Sequence, residues 1–246
     1  MNISQLLEQS RAFRQRLLAL KVSNPPSGFT WYGYEIFGNF THLERMLTGE
    51  NREIFARVKD RPILDVGAAD GDLAFFLESL GYRVDIVDWP STNWNGLRGA
   101  RRIKELLGSG VGIHEIDIDA VFEPPSRYGL VVFLGILYHL RNPMLALERF
   151  ARCSDYLLLS TRVARFAPDG RTALDGVSVA YLLGPEECNN DATNWWIFSR
   201  PGLRKLVARA GWQIEDELSV GATERSDPAR PDRDERVFML LRSAHA

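Results

Sequence analysis

Ile63-Leu64-Asp65-Val66-Gly67-Ala68-Ala69-Asp70-Gly71 decides how the whole chain is read. A short apolar run followed by two glycines is a buried strand that ends in a tight turn and passes into a helix. Gly67 lets the backbone turn and approach a ligand with no Cβ in the way, and Gly71 stands where the helix must start close to the strand. The alternation continues downstream. Asp72 to Leu80 reads as a helix, Tyr82 to Val87 as a strand, Gly96 to Leu107 as a helix, and Val111 to Ile118 and Tyr128 to Leu134 as strands. Pro143 to Ala151 is a helix and Tyr156 to Ser160 a strand. Strands separated by helical segments predict crossover units and a parallel sheet. Leu130-Val131-Val132-Phe133-Leu134 is the continuous apolar run of a strand covered on both faces.

On the N-terminal side, residues 1–60 are read as a helical, aromatic-rich cap. Ile3, Leu6, Leu7, Phe13, Leu17 and Leu20 recur at helical spacing, and Asn24-Pro25-Pro26-Ser27-Gly28 breaks the helix. The remainder, 61–246, is one domain carrying an insertion at about 162–198, where Gly, Pro, Asn and three aromatics interrupt the rhythm. Ser199 followed by Pro201 opens a further helix to about Ala210. Strands near Gln213–Leu218 and Arg236–Leu241, joined by the polar stretch Glu224 to Glu235, suit an antiparallel pair.

Over 246 residues, 45% apolar and 25% charged side chains exclude disorder, collagen-like repeats and a disulfide scaffold. A net charge of −2 provides no global positive field, so a nucleic-acid partner is disfavoured, although a local basic patch stays open. Cys153 and Cys188 lie 35 residues apart, fit no paired zinc spacing and suit a reducing compartment. Arg11, Arg14 and Arg16 interrupt the N-terminal apolar positions, so no secretion signal is read there. No run approaches the roughly 20 apolar residues that span a bilayer. A cytoplasmic protein with no membrane partner is expected.

Ligands of open parallel sheets bind at the carboxyl ends of the strands, near the switch in strand order. Asp88 closes the second strand, 21 residues after Gly67, where a carboxylate can accept both ribose hydroxyls of an adenosine. A dinucleotide site wants a third glycine between the two, so that a pyrophosphate can rest on the helix N-terminus. Here Ala69 occupies that place and Asp70 follows it. A carboxylate at that point repels a pyrophosphate and suits an adenosyl ligand bearing sulfonium and ammonium groups, and Asp65 argues the same way.

These residues resemble the class I S-adenosylmethionine-dependent methyltransferases over about residues 61–161. Asp65-Val66-Gly67-x-x-x-Gly71 is similar to the family's first motif, Asp88 to its ribose-binding acid, and Asp117-Ile118 (or Asp119) to the acid that reaches the adenine amino group. The resemblance implies a Rossmann-like α/β fold, with a seven-stranded, mostly parallel sheet and helices on both faces. It also implies S-adenosylmethionine as cofactor and S-adenosylhomocysteine as product. The expected cofactor residues are Asp65, Gly67, Ala68, Gly71, Asp88, Trp89, Asp117, Ile118 and Leu134; Trp89, directly after Asp88, is read as lying against the adenine ring, with packing in the core as the other reading.

A narrower similarity, to the wobble-uridine carboxymethyltransferases of tRNA, is carried by Phe133 to Pro143, Phe29 to Ile36 and Asn194 to Ser199. Those enzymes hold a carboxylated donor with cationic or hydroxyl groups. Tyr138 matches one of these, but Pro26-Ser27-Gly28 stand where a lysine is wanted, so plain S-adenosylmethionine is expected.

Methyl transfer depends mainly on alignment, worth about 7–11 kcal/mol, and a general base adds roughly 10²–10⁴-fold. His139, after the fourth strand, is the base candidate; the alternative is a helix-start residue hydrogen-bonded to backbone. Trp31, Tyr32, Tyr138, Trp195 and Trp196 are candidates for the acceptor wall, with packing of the cap or core as the other reading. Arg98, Arg101, Arg102 and Lys104 read as a solvated helix face in preference to a phosphate site. His42, His114, His139 and His245 show no ligand spacing, so no metal is expected. The expected activity is methylation of oxygen or nitrogen on a small-molecule or glycan acceptor. The rivals are a tRNA-modifying enzyme, a non-catalytic binding module of the same fold, and an NAD-dependent oxidoreductase.

Overall fold

A computed structural model describes residues 1–246 and is of mixed α/β class, as the alternation predicts. The chain divides into two compact units: Met1–Ile118 with Pro125–Val132, and Asp119–Pro124 with Phe133–Ala246.

The first unit opens with helices α1 (Ile3–Ser23), α2 (Asn39–Met46) and α3 (Ile54–Arg57). It continues through β1 (Ile63–Val66), α4 (Asp72–Ser79), β2 (Val84–Asp88), α5 (Arg98–Leu107), β3 (Gly112–Glu115) and the first part of β4 (Tyr128–Leu134). Asn2 caps α1 reciprocally: its side chain accepts from Gln5 N–H at 3.0 Å while the Gln5 side chain accepts from Asn2 N–H at 2.9 Å. Part of the aromatic content of the cap is buried against α4, whereas Phe29, Trp31 and Tyr32 are half-buried and Tyr34 is exposed. Phe13, Phe37 and Phe40 surround Phe76 of α4 with ring centroids 5.5–5.7 Å away.

β1 pairs in parallel with β2 on one side and β4 on the other, and β3 extends the row beyond β2. The order β3-β2-β1-β4 reverses direction between β1 and β4, and such a switch point is where strand ends open a crevice for a ligand. Asp65 stands opposite Ile86 and Val132 in this register, so its carboxylate is built into the middle of the row.

The second unit contains α6 (Pro143–Cys153), β5 (Ser154–Val163), β6 (Ala180–Leu182), β7 (Trp196–Phe198), α7 (Arg200–Arg209), β8 (Trp212–Gly221) and β9 (Glu235–Ser243). β9 runs antiparallel to both β5 and β8, which is the closing pair expected from the polar connection. Ser199 caps α7 by accepting from Gly202 N–H at 3.1 Å. The insertion contributes β6 and β7, which pair antiparallel with each other, and β7 joins β5 in parallel at Val163 and Phe198.

The connection before β9 is more than a solvated loop. Ser226, Asp227 and Glu235 are fully buried. Glu235 holds Arg165 through two hydrogen bonds of 2.9 Å, and Arg162, itself buried, donates to the Asp227 carbonyl and the Cys188 thiol. Buried carboxylates of this kind persist only when matched by donors.

Two polar residues, Ser10 and Lys21, interrupt the apolar stripe of α1. Ile3, Leu6, Ser10, Phe13, Leu17 and Lys21 are its buried positions, and Lys21 ends the stripe against the β1–α4 turn. Its Nζ lies 3.0 Å from Asp70 Oδ2 and 2.9 Å from Asp72 Oδ1. Removing the cation leaves two carboxylates out of water without their counter-ion, at a cost of about 3–5 kcal/mol. Lys21→Met is therefore expected to lower the unfolding midpoint in urea at unchanged slope; a midpoint equal to wild type would refute the pairing as a source of stability.

Candidate functional site

The β1–α4 turn is held in an unusual backbone conformation. Gly67, Ala69 and Gly71 all have left-handed φ, at 68°, 55° and 80°. A Cβ on Gly71 would meet the Phe75 ring at 2.7 Å and Ile86 Cδ1 at 2.9 Å, so only glycine lets α4 start this close to the strands. Ala69 adopts the same region with a Cβ, at a cost of roughly 1–2 kcal/mol.

Asp88, at the carboxyl end of β2, accepts from Trp89 N–H at 2.7 Å and from Asn93 Nδ2 at 2.8 Å. Asn93 Nδ2 also reaches the Ala69 carbonyl at 3.3 Å, which ties the β2 end to the turn. Burial pushes the Asp88 carboxyl above its usual range, and the donors from Asn93, Trp89 and Ala69 oppose that rise.

Asp65 is the contrasting case. It is 5% exposed, and its Oδ2 has no hydrogen-bond partner. Burial first, and the neighbouring Asp88 charge second, push it up to about 7. A buried carboxylate oxygen without a partner suits a cationic group on a ligand.

Asp70 requires a correction. The sequence argument lets its charge bear on the ligand, but the structure gives all of its capacity to the protein. Oδ2 accepts from Lys21 Nζ at 3.0 Å and from Tyr32 N–H at 2.9 Å, and Oδ1 accepts from Asn95 Nδ2 at 2.8 Å. Gly99 on α5 makes room for it, because a Cβ there would overlap Asp70 Oδ1. The Asp70 charge is therefore met within the protein, by Lys21 and two amide donors.

Tyr32 and Trp31 lie beside this network. The Tyr32 hydroxyl accepts from Trp94 N–H at 2.6 Å, and burial pushes its pKa up to about 12. Trp31 Nε1 is buried without a partner, and its ring stands edge-on to Phe29. Lys21, Trp31, Tyr32, Tyr34, Phe37 and Asp72 are among the residues lining a cavity of about 490 Å³. Gly67, Ala68 and Trp89 are half-buried around the turn and the end of β2; Asp117 and Ile118 follow β3, with Ile118 buried.

The basic residues of α5 are engaged locally. Arg98 donates to the carbonyls of Gly28 and Asn95, Arg101 pairs with Glu115, Arg102 with Glu105, and Lys104 donates to the Val111 carbonyl.

In the second unit, Leu134 ends β4 half-buried. The structure brings Tyr138, His139, Trp195 and Trp196 together. Trp195 N–H donates to the Tyr138 carbonyl at 2.8 Å, and Trp196 Nε1 to the Arg141 carbonyl at 3.2 Å. The Arg141 guanidinium lies 4.9 Å from the Trp195 ring centroid, and the Tyr138 and His139 rings are 4.3 Å apart. His139 Nδ1 lies 2.9 Å from Thr193 Oγ1. Burial is the larger influence on His139 and lowers its pKa below the ordinary histidine value, against the neighbouring Asp191 charge. Asp119, the alternative adenine acid, is taken by the backbone N–H groups of Arg141 and Asn142 at 3.0 and 2.7 Å. Lys21, Asn93, Asn95, Asp191 and Thr193 escape the sequence reading; the pair Asn93-x-Asn95 directly after a strand end was the available signal for two of them.

A family profile described as a methyltransferase domain matches residues 14–217. No functionally curated protein matches the sequence. Among solved structures, the N-terminal domain of EvdMO1 with S-adenosylhomocysteine bound gives a TM-score of 0.58 at 18% identity, over 99% of this chain and 98% of that one. The [4+2]-cyclase SpnF gives 0.60 at 13% identity, covering 94% and 93%. The Burkholderia thailandensis 1,6-didemethyltoxoflavin-N1-methyltransferase, with 1,6-didemethyltoxoflavin and S-adenosylhomocysteine bound, gives 0.51 at 20% identity, covering 78% and 77%. At these identities the likeness is one of fold.

Asp65 makes stability depend on pH with a definite sign. Its folded pKa of about 7 lies above the unfolded value, so the folded state keeps a proton that the unfolded state has lost. The stability contributed by the protonated group is complete below about pH 4 and is lost as pH rises to about 7, a change of roughly 4 kcal/mol. Asp65→Asn is expected to raise the thermal midpoint at pH 8 and to leave it near wild type at pH 4. Equal midpoints at pH 8 would mean that burial does not penalise the Asp65 carboxylate.

Proposed function

The chain belongs to the methyltransferase domain family, and from that premise we propose that it transfers a methyl group from S-adenosylmethionine to an oxygen or nitrogen of a small-molecule or glycan acceptor. The observation that carries this reading is the pair of buried carboxylates at adjacent strand ends, Asp65 without a partner on Oδ2 and Asp88 beside it. Cationic groups and ribose hydroxyls satisfy such a pair, whereas a pyrophosphate would be repelled.

Asp88 takes the ribose hydroxyls, Asp65 favours the cationic end, and the turn at Gly67, Ala68 and Gly71 lets backbone approach. Trp89, Asp117, Ile118 and Leu134 complete the cofactor residues, Asp117 on the adenine amino group. When bound, S-adenosylmethionine supplies an electrophilic methyl carbon: the acceptor lone pair bonds to it, the carbon–sulfur bond breaks with its electron pair going to sulfur, and the acceptor proton leaves to a base. His139 is that base. Its lowered pKa keeps the imidazole neutral near pH 7, the form able to take a proton.

Trp31, Tyr32, Tyr138, Trp195 and Trp196 supply flat apolar area with polar edges for the acceptor. A small acceptor is supported by the local pairing of the α5 cations, which removes the obvious face for a polyanion. Relatives in fold point the same way: one EvdMO1 structure was determined in the presence of D-fucose, and the Burkholderia enzyme holds 1,6-didemethyltoxoflavin.

Isothermal titration with S-adenosylhomocysteine is the test. Wild type is expected to bind, and Asp88→Ala to weaken binding tenfold or more, about 1.4 kcal/mol. Binding of NAD with none of S-adenosylhomocysteine would overturn the proposal, and absence of binding by either would favour a non-catalytic module.

A further inference from the structure

Neutral imidazole carries one ring proton, and its position decides which nitrogen can act as a base. Around His139 the choice is made by the neighbours of Nδ1. The Thr193 carbonyl oxygen lies 3.3 Å away and can only accept. Thr193 Oγ1 lies 2.9 Å away, and its own proton goes to Asp191 Oδ1 at 2.6 Å. A hydroxyl has one proton, so towards His139 it too must accept. Both neighbours therefore call for a proton on Nδ1, which leaves the lone pair on Nε2.

The turn that achieves this is self-contained. Asp191 Oδ1 also accepts from Thr193 N–H at 2.9 Å, fixing the hydroxyl relative to the carboxylate. The segment is held against the His139 turn by the hydrogen bond from Trp195 N–H to the Tyr138 carbonyl. It is entered through three consecutive left-handed residues, Cys188, Asn189 and Asn190, a run that side-chain-bearing residues seldom adopt.

We infer that Thr193, backed by Asp191, is a positioning device that holds neutral His139 with its proton on Nδ1, making Nε2 the proton acceptor for methylation of a hydroxyl. The inference rests on the methyltransferase reading and narrows it. A neutral amine already offers a lone pair and sheds its proton after attack, whereas a hydroxyl is a poor nucleophile until its proton begins to leave. In the step, the hydroxyl proton passes to Nε2 as the oxygen–methyl bond forms and the methyl–sulfur bond breaks. Thr193 and Asp191 keep their protonation states and stabilise the imidazolium that results. The charged and titratable groups acting on His139 are Asp191, which favours the imidazolium, and Arg236, which opposes it; the Tyr138 ring packs against the imidazole.

The test is ¹⁵N NMR of the full chain with labelled histidine, titrated over pH, with His139→Gln assigning its signals among the four histidines. Wild type is expected to show protonated Nδ1 and unprotonated Nε2 in the neutral form, opposite to the preference of free histidine. Asp191→Asn is expected to increase the acid dissociation constant of His139 several-fold. Thr193→Val is expected to slow carbethoxylation of His139 by diethyl pyrocarbonate several-fold at pH 7.5. A proton on Nε2 in wild type, or titration and modification identical in the variants, would overturn the inference. S-adenosylhomocysteine titration of the same proteins separates the two claims: retained binding in the variants shows an intact fold, and failure of wild type to bind counts against the cofactor reading alone.

Discussion

The buried carboxylate of Asp70 is the constraint on which the first unit depends. It gathers the side chain of Lys21 from α1, the backbone of Tyr32 from the aromatic segment, and the amide of Asn95 from the loop before α5. Three stretches remote in sequence thereby converge on one turn, and that turn carries Gly67, Ala69 and Gly71 in their left-handed conformations. A charge this far from water persists because each oxygen is matched by donors. The same matching defines the turn, since the three bonds need acceptor oxygens at both ends of the carboxylate.

With Asp70 satisfied internally, the neighbouring acids divide their work. Asp88 is braced by Asn93 and Trp89, so its orientation is set before any ligand arrives. Asp65 has a buried oxygen without a partner and is pushed up towards neutrality. One acid is oriented and the other is left wanting a cation. In the second unit, Thr193 and Asp191 form a chain of hydrogen bonds on one side of His139. Both units use protein-supplied donors and acceptors to set the state of a functional group in advance, which is how an active site avoids reorganising during reaction.

The α/β class, most helix and strand positions and the closing antiparallel pair were legible because each rests on local periodicity or a strong turn signal. Ile63 to Gly71 and Tyr128 to Leu134 are of this kind. Asp65 and Asp88 were legible as candidates because strand ends are where such sheets bind ligands. The role of Asp70 was not, because its partners lie 49, 38 and 25 residues away and nothing local marks Lys21 as buried. β6 and β7 were missed for a different reason: three residues are too few to display a two-residue period. Glu235 and Asp227 looked like solvated loop charges until Arg165 and Arg233 were seen beside them.

Gly99 carries an evolutionary consequence. Its missing side chain is the space into which Asp70 projects, so the two positions, one in the β1–α4 turn and one on α5, behave as a lock and its keyhole. A lineage drifting away from aspartate at position 70 is released to enlarge residue 99, while any descendant retaining the acid is confined to glycine there. Paired inheritance of these two sites, visible in sequences alone, would identify which distant homologues share this way of fastening their amino-terminal helix.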